Sequence, residues 1–333
     1  MDVDLLNAVS HGAVAIAVTM SFVCLIVTVL SILPFDHWLF RAWEFPRLQI
    51  SIICIVNILV LMSLNASYFE AVSTLCVVLN ALVLLFQGHW ILPYTPFYKS
   101  EIRRSKSPKV QLSVLTSNVL MHNRQAFKLI ELVNKHQPDI LITLESDIWW
   151  QQQLDDGLDD YPHRVPVPLD NLYGMHLYSK HPLSNVDVLY RIKNDIPSIT
   201  CNIEIDEQSI RAFFVHPEPP SPTEAETAKP RDKELLLYAK EAALSKQPLI
   251  VTGDLNDVAW SPTTQAFREK SGLLDPRIGR GFFNTFHAQH IWARWPLDHI
   301  FVSEHFSLVE MKRLPSIGSD HFPLFTKLAI DEA

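Results

Sequence analysis

Three long apolar stretches occupy most of the first hundred residues and constrain the fold more than any other feature. Residues 13–33 form a run of 21 without a charge, residues 48–64 form a second, and residues 71–92 form a third, broken only by Gln87 and His89. A hydrocarbon core of about 30 Å takes about 20 apolar residues as a helix. A helix buried in a soluble core would show polar positions at helical spacing, and these runs do not. They predict three transmembrane helices, at about 13–33, 48–64 and 71–92, in a membrane domain of residues 1–98.

Residues 1–11 carry Asp2 and Asp4 and no Lys or Arg, which is not the leader of a cleaved signal peptide. Trp38, Phe40, Trp43 and Phe45, and then Trp90, Tyr94, Phe97 and Tyr98, are expected to form interfacial aromatic belts. Asn57 and Asn80 lie near mid-membrane, either bonded between helices or tolerated singly. Arg41 and Arg47 in the first loop share one side with Lys99, Arg103, Arg104, Lys106 and Lys109 if the N-terminus is outside. That bias predicts a multi-pass inner-membrane protein with its C-terminal part in the cytoplasm. Asn65-Ala66-Ser67 fits a glycosylation sequon. Cys201 is the one cysteine outside the runs, so no disulfide forms within the soluble part. Residues 99–109 read as a basic tether able to meet anionic membrane lipids.

From residue 110 the pattern changes. Val110, Leu112 and Val114 alternate with polar residues, a strand ending at Asn118. Asn123 is placed to cap a helix whose face is Ala126, Leu129, Ile130 and Val133. Further strands are expected at 140–144, 175–179, 186–190, 199–205, 210–215, 249–252, 297–302, 308–312 and 323–328. Helices are expected at 231–244 and after Ser261-Pro262. Consecutive strands with few helices predict a mainly antiparallel α+β sandwich rather than a doubly wound sheet. Pro217, Pro219, Pro220 and Pro222, followed by Pro230, make 216–229 an irregular surface loop.

The polar residues with chemistry to offer stand at strand ends. Asn118 ends the first strand and Glu145 follows the second. His216 follows the strand at 210–215, and Asp254 and Asn256 close another. Asp298 and His299 open a strand, and Asp320-His321 precedes the last. Positions i and i+2 of an extended segment point the same way, so Asp254 and Asn256 are presented together. A rim with oxygen ligands for a hard cation (Asn118, Glu145), further acids and histidines suits metal-assisted phosphodiester hydrolysis. No His-Glu-x-x-His, paired Cys or Gly-rich phosphate loop occurs.

Ser117-Asn118-Val119, Leu144-Glu145, Val215-His216, Gly253-Asp254-Leu255-Asn256, Leu297-Asp298-His299-Ile300-Phe301 and Ser319-Asp320-His321 come in an order that resembles the endonuclease/exonuclease/phosphatase superfamily. This is the group of deoxyribonuclease I and the neutral sphingomyelinases, and the Pro-rich stretch and membrane helices are similar to a membrane-anchored bacterial branch. The resemblance implies a catalytic domain at 110–333 with a four-layer α/β sandwich of two mainly antiparallel sheets flanked by helices. It implies Mg²⁺ or Mn²⁺ held by Glu145 with Asn118, and Asp320 supporting the metal side. Asp254 and Asn256 would orient the attacking water and the phosphate. His216 and His321 would contact phosphoryl oxygens or transfer protons, with Asp298 orienting His321. The base could be Asp254 or His321. Some members have an acid two residues after the first Asn, where this chain has Leu120.

The substrate is expected to be a phosphoester: a phospholipid, a small molecule or a nucleic acid. Residues 99–333 carry 26 Lys and Arg against 31 Asp and Glu, a net of 26 − 31 = −5. Long nucleic acids meet basic surfaces, so the balance favours lipid or small-molecule phosphoesters over a membrane-tethered nuclease. A catalytically silent binding or scaffold member is the remaining alternative, and no protein partner is evident.

Overall fold

The computed structural model of the chain describes residues 3–63, 70–105 and 110–330. The sequon at Asn65, and Lys106 and Lys109 of the expected tether, lie outside the described residues. The chain divides into two compact units, Met1–Pro93 and Tyr94–Ala333.

The first unit is helical: α1 (Val3–Leu30), α2 (Trp38–Arg41), α3 (Arg47–Ser63) and α4 (Glu70–Ile91). Two stretches, Asn7–Leu30 and Glu70–Tyr94, are long and apolar enough to cross a membrane. The second sequence run yields a bent pair, Trp38–Glu44 and Arg47–Ser63, turned by 63°. The 17 described residues of α3 reach only about 26 Å, so among the described residues two helices are long and apolar enough to cross a membrane, or three if the bent pair counts as one. Polar bonds tie the helices together. Asn57 Nδ2 donates to Asn80 Oδ1 at 3.5 Å, and Asn80 Nδ2 donates to Ser21 Oγ at 2.7 Å. Gln87 Nε2 donates to Thr28 Oγ1 at 2.9 Å, and Gln87 Oε1 accepts from Arg47 Nη1 at 3.0 Å. Where apolar association has no water to escape from, such bonds and close packing hold helices together.

The second unit runs β1 (Val110–Asn118), α5 (Ala126–His136), β2 (Ile140–Leu144), α6 (Ile148–Gly157), β3 (His163–Val167), β4 (Met175–Ser179), β5 (Leu183–Leu189), β6 (Ser198–Ile205), β7 (Gln208–Phe214), α7 (Lys229–Leu244), β8 (Leu249–Asp254), α8 (Pro262–Ser271), β9 (Asp298–Val302), β10 (Phe306–Arg313) and β11 (Leu324–Ile330). The strands form two sheets, ordered β10-β11-β1-β2-β4-β3 and β5-β6-β7-β8-β9. All neighbours are antiparallel except β1 with β2 and β7 with β8.

Three buried clusters give the layers. Leu112, Val114, Ile140 and Ile142 of one sheet meet Ile199, Ile203, Phe214 and Ile250 of the other. Leu115 and Leu141 face away, onto Leu129 and Val133 of α5 and Trp150 of α6. Phe213 and Val251 pack on Leu235 of α7 and Phe267 of α8. With both faces covered, the central strand β2 reads as a nearly unbroken apolar run, Ile140–Leu144. The result is an α+β sandwich of two mixed sheets flanked by helices. Ser261 caps α8 as expected, accepting from Thr264 N at 2.9 Å. Gln125, not Asn123, takes the N-cap position of α5, with no side-chain cap; Asn123 Oδ1 accepts from Gln125 N at 3.2 Å, and its Nδ2 donates to Val119 O and Ile317 O.

Residues 94–105 differ from the expected tether. Tyr94 is fully buried, its hydroxyl donating to Ala259 O at 2.6 Å, so it is a core residue and not a belt aromatic. Ile102 joins the inter-sheet core, and Glu101 receives Arg268 Nη2 at 2.7 Å. The basic, proline-bearing composition hid these two apolar anchors.

Candidate active site

The two parallel strand pairs set the site. Asn118 lies in register with Leu144, so Glu145 emerges beside Asn118 at the same edge. In the other sheet Phe214 is in register with Thr252, bringing His216 to the end of β8. Asp254 is the register partner of Asp298 across β8 and β9. Thr116 and Thr252 meet across the sandwich, their hydroxyls 2.7 Å apart, which joins the two edges into one rim.

Local backbone follows the chemistry. Leu120, Glu145 and Asn256 have φ of 57°, 55° and 51°, left-handed values that non-glycine residues rarely adopt. Gly253 sits at φ 151°, and a Cβ there would lie 1.8 Å from Val215 O, so only glycine lets β7 close onto β8 at this point.

The polar groups converge on Asp254. Its Oδ2 receives Asn118 Nδ2 at 3.1 Å and lies 3.4 Å from His321 Nε2 and 3.9 Å from His216 Nε2. Its Oδ1 receives the Asn256 N–H at 2.9 Å. His321 Nδ1 stands 2.7 Å from Asp298 Oδ2. Asn118 Nδ2 also donates to Glu145 Oε1 at 2.7 Å. Asn256 Nδ2 donates to Pro217 O at 3.0 Å, turning its amide toward the Pro-rich loop. Asp320 is partly exposed and its Oδ1 accepts from Ser319 Oγ at 3.3 Å. Seven of the eight expected residues thus join one hydrogen-bonded or charge-paired cluster, and Asp320 stands at its edge.

Burial sets the charges. It works against a charged His321, but Asp298 and Asp254 outweigh it and push the imidazole up to about 10. Burial pushes His216 down to about 4, so this ring is neutral near pH 7. Asp254 is raised by burial, with His321 pulling the other way. Glu145 is pushed up to about 7 by burial, and neighbouring Asp320 and Asp254 add to the shift.

A divalent cation fits this chemistry at Glu145. Asp254, Asp298 and His321 bring ligand atoms within 4.8 Å of one another, but a charged imidazole already balances those acids and would repel a second cation. Glu145 Oε1 accepts from the neutral Asn118 amide, and of the charged groups around it His321 favours its ionised form while Asp320 and Asp254 oppose it, so among the described residues it is the carboxylate whose charge a hard cation would stabilise.

Other residues support the site beyond the eight expected ones. Tyr173, in the loop before β4, lies 5.3 Å from the His216 ring and hydrogen-bonds Glu224. Both line a cavity of about 50 Å³ with Glu145, His216 and Asn256. Arg231 Nη1 donates to Asn256 O at 2.8 Å from behind. His299 Nε2 meets Asp257 O at 2.9 Å while its Nδ1 faces Arg277 Nη2 at 2.6 Å, a buried brace under the same turn. Ser319 Oγ donates to Asn118 O at 2.8 Å, docking the loop that carries His321.

Known proteins place the arrangement. No curated protein matches the chain. The structure is similar to that of an endonuclease/exonuclease/phosphatase from Bacteroides vulgatus, at 18% identity and a TM-score of 0.54, over 67% of this chain and 100% of that one. It is similar to a Bacteroides thetaiotaomicron family protein at 20% identity and 0.53, over 68% and 100%. It also resembles humanized D. rerio TDP2 at 15% identity and 0.53, over 66% and 98%. The sequence profile of the Endonuclease/Exonuclease/phosphatase family matches residues 115–321, from the middle of β1 to His321, and the chain belongs to that family.

Proposed function

We propose that the chain is a membrane-anchored, divalent-metal-dependent phosphoesterase that hydrolyses phosphodiester bonds of lipid or small-molecule substrates. The observation that carries this reading is Asp254, held between His321, His216 and the Asn118 amide within 4 Å and next to Glu145. Asp254, raised by burial, takes a proton from water, whose oxygen forms a new bond to phosphorus as the ester P–O bond opposite breaks; the ester oxygen leaves as the alcohol with a proton from solvent, to which Asp254 gives up its own. His321, charged and backed by Asp298, donates from Nε2 to the phosphoryl oxygens as their charge grows. Neutral His216 and the Asn256 amide line the same face. Glu145 with Asn118 would hold Mg²⁺ or Mn²⁺, with Asp320 adding charge at the edge. When bound, that cation supplies neutralisation of the phosphoryl charge.

Hydrolysis of bis(p-nitrophenyl) phosphate by the purified chain, with and without EDTA, tests the reaction. Loss of turnover on chelation and return on adding Mg²⁺ is expected; no turnover with either metal overturns it. A second reading, a nuclease, is favoured by the likeness to D. rerio TDP2 complexed with single-strand DNA product, at a TM-score of 0.52. Panels of phospholipids, DNA and RNA separate the two.

The apolar stretches of α1 and α4 and the one-sided Lys and Arg support an inner-membrane, multi-pass protein with its catalytic part in the cytoplasm. A reporter fused after Ala333 should behave as a cytoplasmic fusion. Activity only in the periplasm reverses the topology.

A further inference from the structure

A second cavity, of about 450 Å³, shares no lining residue with the catalytic rim. Arg104, Arg280 and Lys312 surround it over a floor of Phe283, Leu308 and Met311. Its charge is unbalanced. Glu310, the acid in the wall, is engaged by Lys312 at 2.6 Å. Arg280 donates to main-chain carbonyls, Pro276 O at 3.1 Å and Ile102 O, which orient the guanidinium and neutralise nothing. Burial, with Arg104 beside it, holds Arg280 below the usual arginine range, so two like charges approach each other here. Among the described residues, neither Arg104 nor Arg280 has a carboxylate within ion-pair distance.

The wall is held in shape. The strand-like contact of 103–105 with β10 is closed by Leu308 N to Arg103 O at 2.9 Å and Ser105 N to Leu308 O at 3.1 Å. Gly279, at φ 73°, lets the loop pass residue 100 so closely that a Cβ would lie 2.5 Å from Ser100 N. Two convergent guanidiniums suit the oxygens of a phosphate, which takes forked N–H donors and returns the missing charge.

We propose that this cavity binds a phosphate-bearing anion, with Arg104 and Arg280 taking the phosphate and Phe283, Leu308 and Met311 taking an adjoining apolar portion. The phosphate can come from an anionic phospholipid headgroup or from free phosphate. The site is independent of the proposed reaction.

The test is calorimetric titration of the full chain in neutral detergent with dihexanoyl phosphatidate and, separately, inorganic phosphate. Phosphatidate affinity should fall roughly tenfold in Arg104→Gln, as for one lost charge-assisted contact, and return in part in Arg104→Lys. It should persist in His321→Ala, which alters the other site. Phosphatidate binding with phosphate silent assigns the lipid headgroup, and Arg104-dependent phosphate binding assigns the free ion as a source. Binding of both anions that is indifferent to Arg104, no binding of either, or equal binding of neutral dihexanoyl phosphatidylcholine overturns the proposal. Circular dichroism of Arg104→Gln guards against misfolding, and Arg280→Lys, which keeps the charge but loses the fork, gives a second reading of the same loss.

Discussion

His321 presents Nδ1 to Asp298 at 2.7 Å and Nε2 to Asp254 at 3.4 Å, so one buried imidazole bridges two buried carboxylates. Each acid stabilises the charged ring, and Asp298 also fixes which way the ring faces.

His321→Ala should therefore lower kcat by roughly 10²–10³, the scale of removing one preorganised donor from the transition state. Asp298→Asn should cost less, because it leaves the ring in place. The double variant should be little worse than His321→Ala, since the two residues act as a unit. Turnover at saturating metal for the two singles and the double decides this, and strictly multiplicative losses would refute the pairing.

Glu145→Gln keeps the shape and removes the charge of the carboxylate bonded to Asn118 at 2.7 Å. The Mg²⁺ concentration for half-maximal activity should rise by ~10–100-fold, the span seen when a metal site's donors are disturbed. A wild-type Mg²⁺ titration removes Glu145 from the ligand set.

Arg277 and Asp275 form a fully buried pair at 2.8 Å, and Arg277 also faces His299. Arg277→Met leaves the Asp275 charge without its partner, which costs about 3–5 kcal/mol of stability. Thermal unfolding of the variant reads the loss. An unchanged Tm means Asp275 finds another partner.

Glu234, buried on α7, is pushed up to about 7, chiefly by burial, with Arg191 opposing. Below about pH 4.5 both folded and unfolded chains hold this proton, so the group has no effect. As pH rises from 4.5 to 7 the unfolded chain releases it first, and stability falls. Above 7 a constant penalty remains, on the order of 3 kcal/mol. Glu234→Gln should raise Tm at pH 8 and leave it unchanged at pH 4. Equal shifts at both values would place the effect in packing rather than in charge.

Local pattern was enough for much of this protein. Charge-free runs identify the apolar helices, because length and hydropathy are properties of the chain alone. The strands bearing Asn118, Asp254 and Asp298, and the polar residue at each strand end, follow from alternation and from the break in apolar character. Other features depended on partners distant in sequence. Helix α6 carries no clear local signal, since Trp149 and Trp150 gain their reason only from the core they enter. The second apolar run becomes α3, and the segment before it, Trp38–Glu44, is turned from it by 63° at a break that Pro46 signals but whose angle the sequence does not give. Tyr94 has the sequence neighbourhood of an interface aromatic, and only Ala259 and Trp260, far along the chain, supply its burial. That Asp254 and Asp298 face one another across His321, and that Tyr173 and Arg231 reach the same place, was decided only by parallel pairing and strand register. Those convert separate strand ends into neighbours, and no single stretch of sequence carries that information.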